Sequence, residues 1–532
     1  MTVTLPSNTL PPNTAPRLLS DLVDRAAERF GDRTAVVSGE RSIGFTDLAT
    51  ATRVVAAELR RLGVARGDRV VVVIDDFLTA IPWMLGVARR GGIYVLMNAD
   101  TTRYAAEHTI ADSGARLALS SGSSESRRCA EALGLTVVDI PVAGVTGPIT
   151  EPAGPAPSPL DVPVSSDLVS ILYTSGSTGR PKGVTGTHAN MVFAAEAIAA
   201  RLRLREDDVI GCVLPLAFDY GVYQVLLTLL TGARLVWGAG AAAGPGLLSF
   251  LVDNAVTVLP VVPGLAQNLD RLTRRATRSG APLPPLRVLT NTGAAMSADL
   301  RLRLQGAYPE LGVYLMFGLT ECKRVSMLLP EELAAKPDSV GRPLDDTECV
   351  IIDGSGRVLP PGEVGELVVR GPHVTAGYWN DPERTALRFR PWGPMGERAL
   401  FTGDQCRLDA DGYLYFEGRD DDIYKANGFR VSATEVAIAA EEIPGVDEAF
   451  CAPARGEEPA LLAVVADVDA HRVREELQKL LEWFKVPDDI VVVDRLPLNR
   501  NGKVDAVAVR ALRPVAGAVG RRAARAMQDV RS

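Results

Sequence analysis

The sequence predicts an α/β protein with a large N-terminal part and a smaller C-terminal unit, and three observations predict it. Continuous apolar runs at Arg69–Ile74 and Gly92–Met97 flank an apolar helix-length segment, Leu78–Ala88, which is the strand–helix–strand rhythm of a parallel sheet. After Val340 the texture changes to short β segments separated by turns. At Asp420-Asp421-Asp422 three adjacent acids, poor core material, mark a surface link, beyond which new strand and helix signals begin. A chain of 532 residues also exceeds what one hydrophobic core usually supports.

Taken in order, residues 1–16 are a Pro/Thr/Asn-rich lead-in, and Leu18–Phe30 has helical spacing of apolar positions. The stretch Val142–Pro163 is rich in Pro, Gly and Ala and reads as a surface connection. Leu168–Tyr173 is a short buried strand, followed by Val209–Leu214, a helix over Val222–Leu230, and Arg234–Trp237. Strands then follow at Val256–Leu259, Leu286–Leu289 and Val313–Met316. Glu348–Ile352 and Gly365–Arg370 are β segments, and Cys406–Leu408 with Tyr413–Phe416 makes a hairpin across Asp411-Gly412. In the small unit Thr434–Glu442 and Val473–Phe484 carry helix signals, and the Ala/Arg-rich tail after Arg513 reads as a solvated or frayed helix.

Composition excludes several classes. A net charge of −8 argues against a general nucleic-acid binder, because counterion release needs a basic face. The six cysteines are scattered, without a Cys-x-x-Cys pair, which fits reduced thiols. No signal-peptide pattern opens the chain and no apolar run reaches membrane-spanning length, so the expectation is a soluble, cytoplasmic protein with no membrane partner.

The most informative stretch is Tyr173-Thr174-Ser175-Gly176-Ser177-Thr178-Gly179-Arg180-Pro181-Lys182-Gly183. Glycines adopt the turns that converge backbone N–H groups, hydroxyls add donors, and Lys182 adds a cation, so the loop suits polyphosphate. It lacks the Gly-x-x-x-x-Gly-Lys-Ser/Thr spacing of the common P-loop, and standing alone it reads more readily as a flexible Gly/Ser surface loop. Further along, Phe317-Gly318-Leu319-Thr320-Glu321 offers a hydroxyl and a hard oxygen ligand. Thr402-Gly403-Asp404 suits a ribose diol, with Gly418-Arg419 nearby, and Lys425–Val431 is a glycine turn between cations. Asn501-Gly502-Lys503 displays a lone lysine on a tight turn.

In this order these motifs resemble those of the adenylate-forming superfamily of acyl- and aryl-CoA synthetases, luciferase and nonribosomal-peptide adenylation domains, over about residues 18–510. The resemblance implies layered sheets with flanking helices and a β-barrel-like subdomain in residues 1–420, and a small mobile α+β domain over 421–512, with 513–532 as tail. It implies ATP and Mg²⁺ as cofactors: a carboxylate attacks the α-phosphate, pyrophosphate leaves, and a thiol then takes the acyl group. Thr174, Ser175, Gly176, Ser177, Thr178, Gly179 and Lys182 would embrace the β- and γ-phosphates. Gly293-Ala294-Ala295 would lie along adenine, Phe317 and Thr320 would border the nucleotide with Thr320 on the α-phosphate, and Glu321 would hold the metal. Asp404 would take both ribose hydroxyls, helped by Arg419. Lys503 would be the adenylation lysine and Asp421 the hinge between half-reactions.

Substrate choice rests on Phe218-Asp219-Tyr220-Gly221, a Phe-Asp pair that in amino-acid-activating relatives receives the substrate ammonium. Tyr220, Tyr223, Met316, Gly318, Arg324 and Val325 fall at pocket positions in relatives, with Val262 a weaker candidate. Glu321-Cys322-Lys323-Arg324-Val325-Ser326 is similar to freestanding proline-activating and β-amino-acid-activating enzymes. Its two cations either read a second carboxylate or bridge to the protein's own acids, and the bridge is the expectation, because a buried Arg usually carries a built-in partner. The expected acceptor is the phosphopantetheine thiol of a separate carrier protein. The alternatives are an acyl-CoA ligase for a non-amino acid and a non-catalytic nucleotide-binding protein.

Overall fold

A computed structural model describes residues 17–73, 76–99, 101–140, 161–174, 181–238, 244–293, 295–419, 422–426, 429–455, 458–481, 485–499 and 503–513. Among these the strands form five sheets. A six-stranded sheet runs, in spatial order, Thr136–Asp139, Leu117–Ser120, Arg69–Val73, Ile93–Met97, Leu168–Thr174 and Lys182–Thr187. Arg69–Val73 pairs in parallel with Ile93–Met97, register Arg69 to Ile93, and the helix Phe77–Arg90 crosses between them as the apolar pattern predicts. These strands are buried almost throughout, which is why they read as unbroken Val/Ile/Leu runs.

A nine-stranded sheet contains five parallel strands that matter for the site: Arg234–Trp237, Val209–Cys212, Val258–Val261, Val288–Asn291 and Gly312–Phe317. Two of these sit two residues later than the sequence pattern places them. Thr257 is spent differently: its hydroxyl accepts from the Val209 amide and donates to Asp208, so the ladder to Val288–Asn291 begins at Val258. Helices Leu19–Phe30, Phe45–Arg61 and Phe77–Arg90 pack with His188–Leu202 and Asp219–Thr231 into the largest apolar core, from Leu19 and Phe45 to Tyr220 and Met327.

Residues 348–419 form a five-stranded antiparallel sheet, in which Glu397–Leu408 pairs with Leu414–Arg419 as the predicted hairpin. The C-terminal residues build a three-stranded sheet, Val446–Ala452, Leu461–Ala466 and Asp489–Val492, with helices Ala433–Glu441 and Ala470–Leu480 and a separate core around Val436, Leu462 and Leu477. The predicted helix over 473–484 ends at Leu480, and Leu481 is already extended. No described helix is long and apolar enough to cross a membrane. All six cysteines are unbridged.

Candidate active site

The parallel strands of the larger sheet all end on one side, where crevices in open α/β sheets receive ligands. Val209–Cys212 leads to Asp219 at the first turn of its helix, Val258–Val261 to Val262, Val288–Asn291 to Thr292 and Gly293, and Gly312–Phe317 to Gly318–Glu321.

At the phosphate end, Leu168–Thr174 and Lys182–Thr187 are antiparallel partners, with Thr174 opposite Lys182. The glycine-rich connection between them carries Ser175, Gly176, Ser177, Thr178 and Gly179, which lie outside the described residues. Lys182 Nζ donates to Glu321 Oε1 at 2.6 Å, and the Tyr378 hydroxyl donates to the same oxygen at 2.7 Å. The ammonium also lies 4.8 Å from the Tyr378 ring centre. Burial would raise the Glu321 carboxyl, but the Lys182 charge and these hydrogen bonds outweigh it and hold it below the usual range. Tyr378 escaped the sequence reading; its only signal there was the Gly377-Tyr378 turn.

The donor chemistry fits Mg²⁺ only in part. Glu321 is a buried hard-oxygen ligand, yet the described residues hold no group of three His, Cys, Asp or Glu able to cage an ion. Phosphate oxygens of a nucleotide would have to supply the remaining ligands, as is usual for Mg²⁺.

At the sugar end, Asp404 faces Arg419 across the hairpin, with Arg419 Nε 3.4 Å from Asp404 Oδ1. Thr402 is turned away to cap the strand: its hydroxyl donates to the Leu367 carbonyl and accepts from the Asp404 amide. Asp404 is 2% exposed, and burial pushes its carboxyl up to about 7, against the pull of Arg419.

Lys503 meets these groups from the C-terminal unit. Its turn is closed by the Asn499 amide donating to the Lys503 carbonyl and the Lys503 amide donating to Asn499 Oδ1. Part of the lysine stem stays in solvent, while its amine end stands over Gly293. A Cβ on Gly293 would lie 3.3 Å from Lys503 Cε, and the backbone there has φ +93°. Surrounding protein lowers the Lys503 pKa, opposed first by Asp219 and also by Glu321 and Asp404. The three acids therefore share one field with this amine. Of the adenine segment, Gly293 and Ala295 are described, and Ala294 lies outside the described residues.

The substrate end holds the largest departure from expectation. Lys323 and Arg324 are 3% and 5% exposed, and neither forms an ion pair with an acid among the described residues, contrary to the expected bridge. Lys323 Nζ has no hydrogen-bond partner, and Arg324 donates from Nη1 to the Thr292 hydroxyl at 2.5 Å while its Nε has none. Arg324 also stacks 5.5 Å from the Tyr220 ring. Burial lowers both pKa values, and the Asp219 carboxylate opposes this for each. Lys323 is held at φ +60°, a left-handed conformation that costs a side-chain-bearing residue about 1–2 kcal/mol. The loop can press so close because residue 318 is glycine: a Cβ there would lie 2.5 Å from the Lys323 carbonyl oxygen.

Tyr220, Tyr223, Met316 and Arg324 border a small cavity with Thr290 and Leu202. The Tyr220 hydroxyl bonds the Thr290 carbonyl at 2.9 Å. Val325 is fully buried with Val184, Cys322 and Leu367 in the core beside the antiparallel sheet. The local cause is the Lys323 turn, after which the Val325 amide donates to the Phe317 carbonyl and the chain re-enters an antiparallel pair at Ser326. Phe218 caps the substrate helix and packs edge-on to Tyr220 at 6.3 Å. Thr290 and Thr292 were missed because hydroxyls at a strand end carry no periodic signal.

A lysine–glutamate pair, a buried aspartate facing an arginine and a lysine from the C-terminal unit surround one crevice, an arrangement suited to a nucleotide and a second anion. The chain belongs to the AMP-binding, adenylate-forming enzyme family: residues 23–379 match the AMP-binding enzyme model and residues 435–503 the AMP-binding enzyme C-terminal domain. It is 31% identical to phenyloxazoline synthase MbtB of Mycolicibacterium paratuberculosis over 94% of this chain, and spans 42% of that protein's length. A feruloyl-CoA synthase of an Amycolatopsis species is 30% identical, with 90% of this chain and 96% of that one covered. Among solved structures, VinN in complex with L-aspartate matches with 34% identity and a TM-score of 0.66, over 75% of this chain and 98% of that one.

Proposed function

We propose that this chain adenylates an amino acid bearing a second carboxylate, an aspartate-like α- or β-amino acid, and passes the acyl group to the phosphopantetheine thiol of a separate carrier protein. One observation carries the reading: among the described residues Lys323 and Arg324 are buried cations with no ion-paired acid, and the carboxylate of Asp219 acts on both. Leaving two buried charges unmatched costs several kcal/mol, which a dianionic substrate with one ammonium offsets. Asp219 takes the ammonium, and Lys323 and Arg324 take the remote carboxylate. That VinN, 34% identical, is solved in complex with L-aspartate supports a substrate of this class.

The reacting carboxylate then lies toward Lys503, whose amine gathers the negative charge that builds as carboxylate oxygen meets α-phosphorus. Thr320 contacts the same phosphate, Lys182 and the hydroxyls of Thr174 to Thr178 escort the departing pyrophosphate, and Asp404 with Arg419 fixes the ribose. Bound Mg²⁺ on Glu321 would neutralise phosphate charge. For transfer, the C-terminal unit turns at Asp421, which lies outside the described residues. Asp421→Pro is expected to spare adenylation and impair thioester formation.

The test is substrate-dependent exchange of labelled pyrophosphate into ATP over a panel of aspartate, β-amino dicarboxylic acids, glutamate, proline, β-alanine and non-amino acids. Exchange led by amino dicarboxylic acids, and lost in Arg324→Leu, is expected. Exchange with proline, β-alanine or non-amino acids only would overturn the substrate reading. A second reading, a CoA ligase, is favoured by the full-length match to feruloyl-CoA synthase and is decided by offering CoA and carrier proteins as acceptors.

A further inference from the structure

The helix Pro263–Ser279 starts at the site, with Val262 beside Gly293, and runs outward past the C-terminal unit, where Gln267 Nε2 donates to the Asp447 carbonyl at 3.1 Å. Farther along it, Arg271, Arg274, Arg275 and Arg278 fall at spacings of three, one and three, all exposed on one face. With Ser279 they line an open concavity of about 450 Å³. Four arginines side by side are unexpected in a chain of net charge −8.

The protein explains only half of them. Arg274 pairs with Asp270 at 3.3 Å, and Arg271 donates to the Asn268 amide oxygen at 2.8 Å and faces the partly buried Glu448. Among the described residues Arg275 and Arg278 have no hydrogen bond or ion pair. The helix dipole favours a cation in the last turn, which accounts for Arg278 alone.

We propose that this arginine face is the docking surface for the acidic helical surface of the carrier protein that receives the acyl group. The proposal rests on the carrier-thiol reading above. The distance favours it: from Gly264 to Arg275 and Arg278 the helix advances about 17–21 Å. A phosphopantetheine arm spans a comparable length, so a carrier seated on the arginines reaches the crevice with its thiol. Charge complementarity at such a rim acts chiefly on association rate and weakens with salt.

The experiment uses the full chain with Arg275→Glu and Arg278→Glu together, and a panel of phosphopantetheinylated acidic carrier proteins. The proposal expects wild-type pyrophosphate exchange, a carrier KM raised about tenfold or more, and a flattened salt dependence of loading. Transfer to free pantetheine, a small thiol with no docking surface, stays unchanged. Carrier loading by the variant at wild-type efficiency overturns the docking surface while leaving the carrier reading intact. A wild-type enzyme that loads CoA but no carrier overturns both. Equal loss of carrier and pantetheine transfer places the effect in the active site and also overturns it.

Discussion

Asp404 stands opposite Arg419 with almost no solvent contact, and burial lifts its carboxyl from 3.8 to about 7 despite the guanidinium. On the proposed function its ionised form would accept two ribose hydroxyls, and its protonated form fewer. The KM for ATP is therefore expected to rise as pH falls from about 8 to 6, and Asp404→Asn should raise it at all pH values and flatten the profile. The same shift has a stability sign. Between pH 3.8 and about 7 the folded chain holds a proton that the unfolded chain has released, so this group lowers stability as pH rises through that window. Lys503 is the other residue on which the proposed chemistry rests at a single atom. Lys503→Ala should lower pyrophosphate exchange by about 10²-fold or more, with little change in ATP affinity; exchange near wild type would remove it from the reaction.

The helix Asp219–Thr231 carries Asp219, the acid proposed to take the substrate ammonium, on its first turn, so the path of the chain into that helix sets where Asp219 points. Gly221 makes the entry possible. A Cβ there would lie 2.3 Å from the Pro215 carbonyl oxygen, and backbone cannot step aside as a flexible side chain would. Gly221→Ala is expected to destabilise the fold by about 1–3 kcal/mol, seen as a lower melting temperature. It should also raise the amino acid KM while leaving the ATP KM unchanged, because the nucleotide groups hang from other strands. The strand and helix framework around this element was legible because buried parallel strands are unbroken apolar runs. Residues such as Tyr378, Thr290 and Thr292 were not, since a polar group recruited by a distant neighbour leaves no local pattern.

Across the whole molecule, the C-terminal unit contributes Lys503 and touches the larger part at few points, among them Leu498 against Gly264 and the bond from Gln267 to Asp447. A wedge at this seam should separate the half-reactions. In Gly264→Trp the added ring pushes Leu498 and its lysine-bearing turn away, so exchange should fall about tenfold or more with an unchanged melting temperature. Transfer from a supplied acyl-adenylate should persist; equal loss of both would count against this seam. Motif order alone made the family readable over nearly the full chain. The sequence misjudged Lys323 and Arg324 because the usual habit of buried cations, a built-in acid, is the one this pocket breaks.

Gly318 ties two neighbouring groups of side chains into one turn. Thr320 and Glu321 on one side and Lys323 and Arg324 on the other belong to a single short turn, clamped against the strand end with no side chain between. On the proposed function, a guest whose remote end fits badly would strain the same clip that is to hold the phosphate and metal. Discrimination of this kind is kinetic: a poor acid occupies the crevice, but its turnover falls further than its affinity.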